Sequence, residues 1–365
     1  MKNSFGTNVI TTIFGESHGP AVGGVIDGLA PGIPVDPERI AKNLSLRRPS
    51  GAISTGRVEP DEFEIVSGVF EGRTTGTPLC LLIRNQNVRS GDYEATKNLA
   101  RPGHADYTGF VKYHGFADYR GGGHFSGRVT AALVALGAIA LSALERRGVR
   151  IGTHIARLSD VSDRGFSDLS ADLSALSDRP FPVLSDEAGE KMRAAILAAK
   201  EENDSVGGML ETAVTGLPAG VGEPWFDTLE GMLSHGLFSI PGVKGVEFGD
   251  GFALSGMRGS EANDAFVPLD GGIATATNHN GGINGGISNG MPLLFRCAVK
   301  PTPSIFKTQN TVDLQTGEAA EITLSGRHDP AIVHRARAVV DAVTALTLAD
   351  ALAGRFGADW LREKE

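Results

Sequence analysis

Residues 126–147 read SGRVTAALVALGAIALSALERR. Ser126 has the side chain of a helix N-cap, and Gly148 stops the run. Val129, Leu133, Leu136, Ile139, Ala140 and Ala143 share one face, yet the opposite face is almost as apolar. A surface helix keeps a polar side, so this one belongs in the middle of the molecule. A second long helix is expected from Asp329-Pro330 through Ile332, Ala336, Val339, Val340, Val343 and Leu346, with Asp329 as its N-cap. Shorter helices are expected at 37–47, behind Asp36, from Ser185 to near Asn203, and at 226–238. β-Branched and aromatic runs predict strands at 8–14, 63–70, 77–84, 149–158, 209–217, 243–248 and 292–299. Hairpin-like pairs mix with crossovers, which favours an α+β fold over a doubly wound sheet. No linker is visible, so residues 1–365 read as one domain, with the polar stretch 160–182 at its periphery. Ser17-His18-Gly19 with Gly23-Gly24 echoes Asn278-His279-Asn280 with Gly285-Gly286, which suggests an internal duplication.

Composition narrows the function. Hydrophobic residues are 41% and charged residues 21% of the chain, which excludes wholesale disorder. A net charge of −9 argues against general nucleic-acid or membrane-surface binding. Cys80 and Cys297 sit in apolar settings and read as buried thiols. Neither CxxC nor a helical His pair is present, so no metal site is expected. The start lacks a signal-like apolar stretch, and the uncharged run Val129–Leu144 is short for a membrane span, so a cytoplasmic location is expected. Glycine stands out at 49 of 365 residues, so the backbone must approach itself or a ligand closely.

Much of that glycine borders chemistry. His18, His104, His124, His279 and His328 all lie in Gly/Arg/Ser/Asp loops, where imidazoles suit proton transfer near neutral pH. Arg47, Arg48, Arg57, Arg101, Arg120, Arg128 and Arg327 sit near glycine or proline, and guanidinium forks match phosphate and carboxylate oxygens. Gly121-Gly122-Gly123 before Ser126 makes a helix start suited to anions. Lys300-Pro301-Thr302-Pro303-Ser304 is a rigid bend with a cation and hydroxyls. Asp329 reads either as a cap or as a titratable group between charged neighbours. Residue physics alone stops at an enzyme acting on an anionic metabolite; no flavin is readable from it.

The ordered motifs go further. Gly15-Glu16-Ser17-His18-Gly19, Arg47-Arg48-Pro49, Arg101-Pro102-Gly103-His104-Ala105-Asp106, Arg120-Gly121-Gly122-Gly123, Gly285-Gly286-Ile287-Ser288, Lys300-Pro301-Thr302 and Gly326-Arg327-His328-Asp329-Pro330 together resemble the chorismate synthase family nearly end to end. The resemblance implies a β-α-β sandwich, usually a homotetramer, that converts 5-enolpyruvylshikimate 3-phosphate to chorismate and phosphate with reduced FMN. NADPH is a candidate reductant, and the substrate is the only other small-molecule partner implied. By resemblance, His18 meets the leaving phosphate, His104 the reduced flavin, and Asp329 works with flavin N5 on the ring proton, with Ser17 and Ser126 steering protons. Arg47, Arg48, Arg57, Arg128 and Arg335 fall to the substrate. His124, Phe125, Ser126, Gly285, Lys300, Pro301, Thr302, Pro303, Ser304 and Arg327 fall to the cofactor. Three departures stand out: no arginine midway through 50–57, His124-Phe125 where Arg-Ser is commoner, and Ala331 where Cys often follows Asp-Pro. The competing readings are a flavin-binding homologue with altered chemistry and a non-enzymatic anion-binding scaffold.

Overall fold

The computed structural model describes residues 2–49, 51–54, 60–86, 94, 96–269, 271–324 and 329–362. Its frame is two antiparallel five-stranded sheets with the two long helices between them. In spatial order the first sheet runs Ser4–Phe5, Ile10–Gly15, Ala21–Asp27, Leu79–Arg84, Phe63–Ser67. The second runs Val243–Phe248, Leu293–Val299, Gly208–Thr215, Arg150–Leu158, Val161–Ser162. The central helix, Thr130–Arg146, lies under the first sheet, where a β-carbon on Gly24 would stand 2.8 Å from Leu136. The last helix, Val333–Phe356, lies under the second, where the Thr153 hydroxyl donates to Asp341 at 2.6 Å. The two helices meet at Gly137, whose added β-carbon would be 2.4 Å from that of Ala342. Residues 127–146 are apolar and long enough to cross a membrane, but 89% of the 18-residue window is buried within the chain, as in a core helix.

The halves repeat one another in topology. Each has a strand (Ala21–Asp27; Gly208–Thr215) followed by a helix (Pro37–Arg47; Leu229–Phe238). Each then adds an outer strand and returns with an inner one that pairs with the first. A register shift marks the outer pairing in both sheets. Each half ends in its long buried helix, and the shorter helix packs on it. The sequence echo does not follow this repeat. His18 precedes the Ala21–Asp27 strand, whereas His279 lies between the outer and returning strands of the second sheet.

Local signals placed most elements. Asp36 accepts from Glu38 and Arg39 backbone N–H groups ahead of Pro37, and Ser185 caps Asp186–Glu201. Three expectations change. The last helix starts at Val333 after Ile332, so Asp329 does not cap it. The stretch 160–182 is not wholly peripheral, because it folds a helix, Leu169–Leu176, with Leu173 and Leu176 buried. Cys297 is buried and its thiol is pushed up to about 12 by desolvation, but Cys80 is only half-buried.

Candidate active site

Three consecutive glycines organise the first part of the site. Gly121, Gly122 and Gly123 have φ of +61°, +88° and +54°, a path that side chains resist. Gly121 and Gly123 have no room for side chains either. A β-carbon on Gly121 would stand 2.2 Å from His18 Cε1, one on Gly122 3.4 Å from His104 Nε2, and one on Gly123 2.1 Å from the Asp118 carbonyl. The turn is thus held between two histidines that lie 86 positions apart in the sequence.

Partners set the tautomer of each ring. Ser17 Oγ lies 3.0 Å from His18 Nδ1 and within 3.2 Å of the Arg120 and Gly121 carbonyls. Carbonyls only accept, so the serine proton goes to one of them and its oxygen accepts from Nδ1–H. His104 Nδ1 lies 2.6 Å from Asp106 Oδ1. Arg101 donates to both Asp106 oxygens at 2.7 Å, and its backbone N–H adds a third bond. Burial opposes ionisation of Asp106, but these bonds outweigh it and hold the carboxyl well below its usual range. An ionised Asp106 accepts from Nδ1–H, which leaves Nε2, the nitrogen on the glycine turn, to exchange the proton.

The second part gathers cations. Arg47, Arg48 and Arg128 converge on the buried Asp61, with Arg47 at 4.0 Å, Arg48 at 3.4 Å, and Arg128 in direct hydrogen-bonded contact. Three guanidinium groups thus crowd one small region, a concentration of positive charge that suits an incoming anion. Arg335 ion-pairs with Asp329 and donates from Nε to the Arg47 carbonyl at 2.8 Å. Both central helices therefore begin here, Arg128 just ahead of one and Arg335 in the first turn of the other. Asn85 joins the parts: its amide donates to the Glu16 and Gly19 carbonyls, and its oxygen accepts from Arg128 Nε at 3.0 Å.

The remaining expected residues divide. His124 donates from Nδ1 to the Gly15 carbonyl at 2.8 Å, and Ser126 caps the short turn 127–129 that leads into the central helix. Phe125 packs edge-on against Tyr113 and lines a cavity of about 320 Å³ with Arg101, Asp106 and Gly122. Lys300 Nζ contacts the Gly103 carbonyl, and Pro303 lies against Gly103, so the 300–304 bend borders the His104 turn. Pro301 packs instead against Gly207, and Ser304 is buried. Thr302 Oγ1 is buried with no hydrogen-bond partner among the described residues. Gly285 sits at the exposed tip of a hairpin packed on residues 218–229. Among the described residues, no recorded contact joins Gly285 to the glycine turn. Arg57, Arg327 and His328 lie outside the described residues.

A family model described as chorismate synthase matches residues 9–353. The chain belongs to the chorismate synthase family. A relative named chorismate synthase from Pyrococcus abyssi (strain GE5 / Orsay) is 48% identical over 341 residues, covering 93% of this chain and 95% of the relative. One from Dehalococcoides mccartyi (strain ATCC BAA-2100) is 48% identical over 360 residues, covering 98% of each. A crystal structure of chorismate synthase superposes with a TM-score of 0.76 at 28% identity, covering 96% of this chain and 94% of that one. The α+β sandwich expected from the sequence is the fold of this family, whose members are lyases of the shikimate pathway.

Sequence reasoning missed two residues that organise the site. Asp61 carries no local signal, because its partners lie 13 to 67 positions away. Asn85 is equally remote from the residues it ties together. Asp106, by contrast, stands two residues from His104, and that spacing is a legible hint.

Proposed function

We propose that the chain converts 5-enolpyruvylshikimate 3-phosphate to chorismate by 1,4-anti elimination with reduced FMN. The observation that carries this is the glycine turn held between His18 and His104 beside an arginine-rich corner. The residues fit a flavin. The glycine backbone forms a surface with no side chains, the adjoining cavity is of ligand size, and Thr302 Oγ1 awaits a partner beside Lys300. His124, Phe125, Ser126 and the 300–304 bend would hold it, joined by Arg327 and Gly285, the latter from a separate hairpin. Reduced FMN, when bound, supplies electron density to the substrate ring and recovers it, so the reaction is redox-neutral overall.

The chain's own residues handle charge and protons. Arg47, Arg48, Arg128 and Arg335, with Arg57, orient the substrate and stabilise charge on the leaving phosphate. His18, oriented through Nδ1 by Ser17, gives a proton or a positive charge to that phosphate from Nε2. His104, oriented by Asp106, does the same for the flavin ring from its own Nε2. Asp329, positioned by Arg335, is the carboxylate on the path of the departing ring proton. Exposed aromatics such as Phe226, Phe252 and Phe266 support assembly, with a homotetramer as the family expectation. A cytoplasmic setting and NADPH as reductant complete the proposal.

The test is an anaerobic turnover assay with chemically reduced FMN, repeated with oxidised FMN and NADPH alone. Chorismate and phosphate should appear in equal amounts in the first assay. No product, while another family member turns over alongside, overturns the reading. The second assay decides the reductant.

A further inference from the structure

A polar crevice lies outside the machinery described above. It has a volume of about 70 Å³ and opens between the helices Pro37–Arg47 and Thr130–Arg146, the strand Arg150–Leu158, the helix Leu169–Leu176 and the last helix. Its charged wall is Arg39, Lys42, Arg150 and Arg337 against Glu145 and Asp341. The pairing is incomplete. Arg39 Nη2 meets Glu145 at 2.5 Å, and Lys42 turns to Asp178. Arg337 is 3% exposed; it reaches Asp341 at 3.2 Å and the Leu176 and Arg179 carbonyls at 2.9 and 3.0 Å. Among the described residues, the buried Nε atoms of both Arg39 and Arg337 have no hydrogen-bond partner. Among the described residues no carboxylate pairs with Arg150. The wall keeps excess positive charge even after Asp178 is counted.

We propose that this crevice is a second anion site, taking one small tetrahedral oxyanion of the phosphate class. The space exceeds the ~10–15 Å³ that one water requires and is too small for a nucleotide or flavin. A water would leave the charge unanswered. An oxyanion answers it, and its hydrogen bonds to guanidinium groups are charge-assisted. The site shares two helices with the arginine corner. Pro37–Arg47 supplies Arg39, Lys42 and Asn43 here and Arg47 there, while the last helix supplies Arg337 here and Arg335 there. Occupancy therefore ties together the helices that carry the corner's cations.

The test is equilibrium dialysis of the full chain against labelled inorganic phosphate. The unaltered chain should bind two phosphates. Lys42→Gln with Arg150→Gln should lose one, and Arg48→Gln should lose the other. Arg150→Gln alone, on a half-buried unpaired cation, should weaken one site about tenfold and keeps the test alive if the double variant fails to fold. Two sites in the double variant, or unchanged affinity at both sites in Arg150→Gln, would mean that the crevice holds only water, and the proposal would be wrong. The same follows if a single site is found and is lost with Arg48→Gln.

Discussion

The two halves repeat a topology, yet His18 and His104 in the first and His154 in the second sit in different surroundings. In the first half, His18 and His104 each have an orienting partner at Nδ1 and lie against the glycine turn, His18 with Cε1 and Nδ1 and His104 with Cε1 and Nε2. In the second half, His154 lies fully buried across from Glu211, with Nδ1 3.2 Å from Asp163 and Nε2 3.0 Å from Glu211. Desolvation opposes its charge, yet the two carboxylates outweigh that and raise its pKa. An imidazole held between two carboxylates is a charged strut, whereas His18 and His104 lie against a backbone turn that has no side chains. Residue type does not separate these roles; the surroundings of the ring do.

The strongest way to break this contrast is to fill the turn. Gly121→Ala should collide with His18 and lower turnover at least as far as His104→Ala, about 10²–10⁴-fold, measured anaerobically with reduced FMN. Unchanged turnover in Gly121→Ala would show that the contact does not position His18. Next comes the corner. Asp61→Asn leaves three buried or half-buried guanidinium groups without their carboxylate and should cost about 3–5 kcal/mol in urea unfolding. A variant as stable as the parent would mean that the arginines are satisfied elsewhere.

Asp106→Asn sharpens the comparison, because it keeps shape and removes charge. Turnover should fall about 10–100-fold, the range for losing a partner that orients a working group, and the pH profile of kcat should shift. A proportional loss at every pH would point to a merely structural role. The sign for Asp106 is that of a depressed carboxyl. Its contribution to stability is present above the unfolded value near 3.8 and is lost as pH falls through the lower folded value.

His154→Gln should give the smallest effect on catalysis: turnover unchanged, with about 1–3 kcal/mol lost in unfolding. Here the sign reverses. His154 is raised in the fold, so its contribution is full below the unfolded value near 6.5 and fades as pH rises through the folded one. Urea unfolding across that window should show a decline in the parent that the variant lacks. A matching decline in both would remove His154 as its source.

Interactions spanning a few residues were legible in the sequence. Asp36 with Pro37, Ser185, the strand Val243–Phe248 and the all-round apolar helix each follow from periodicity or capping within one or two turns. The ordered motifs likewise pointed to the family and to its histidines. Tertiary structure decided what those residues do. Asp329 had every local mark of a cap, yet the helix begins later and its carboxylate goes to Arg335. Asp61 had no local mark and became the anchor of three arginines. The reason is range. Capping and amphipathicity are settled by near neighbours, whereas a buried charge takes its partners from whatever the chain folds against it.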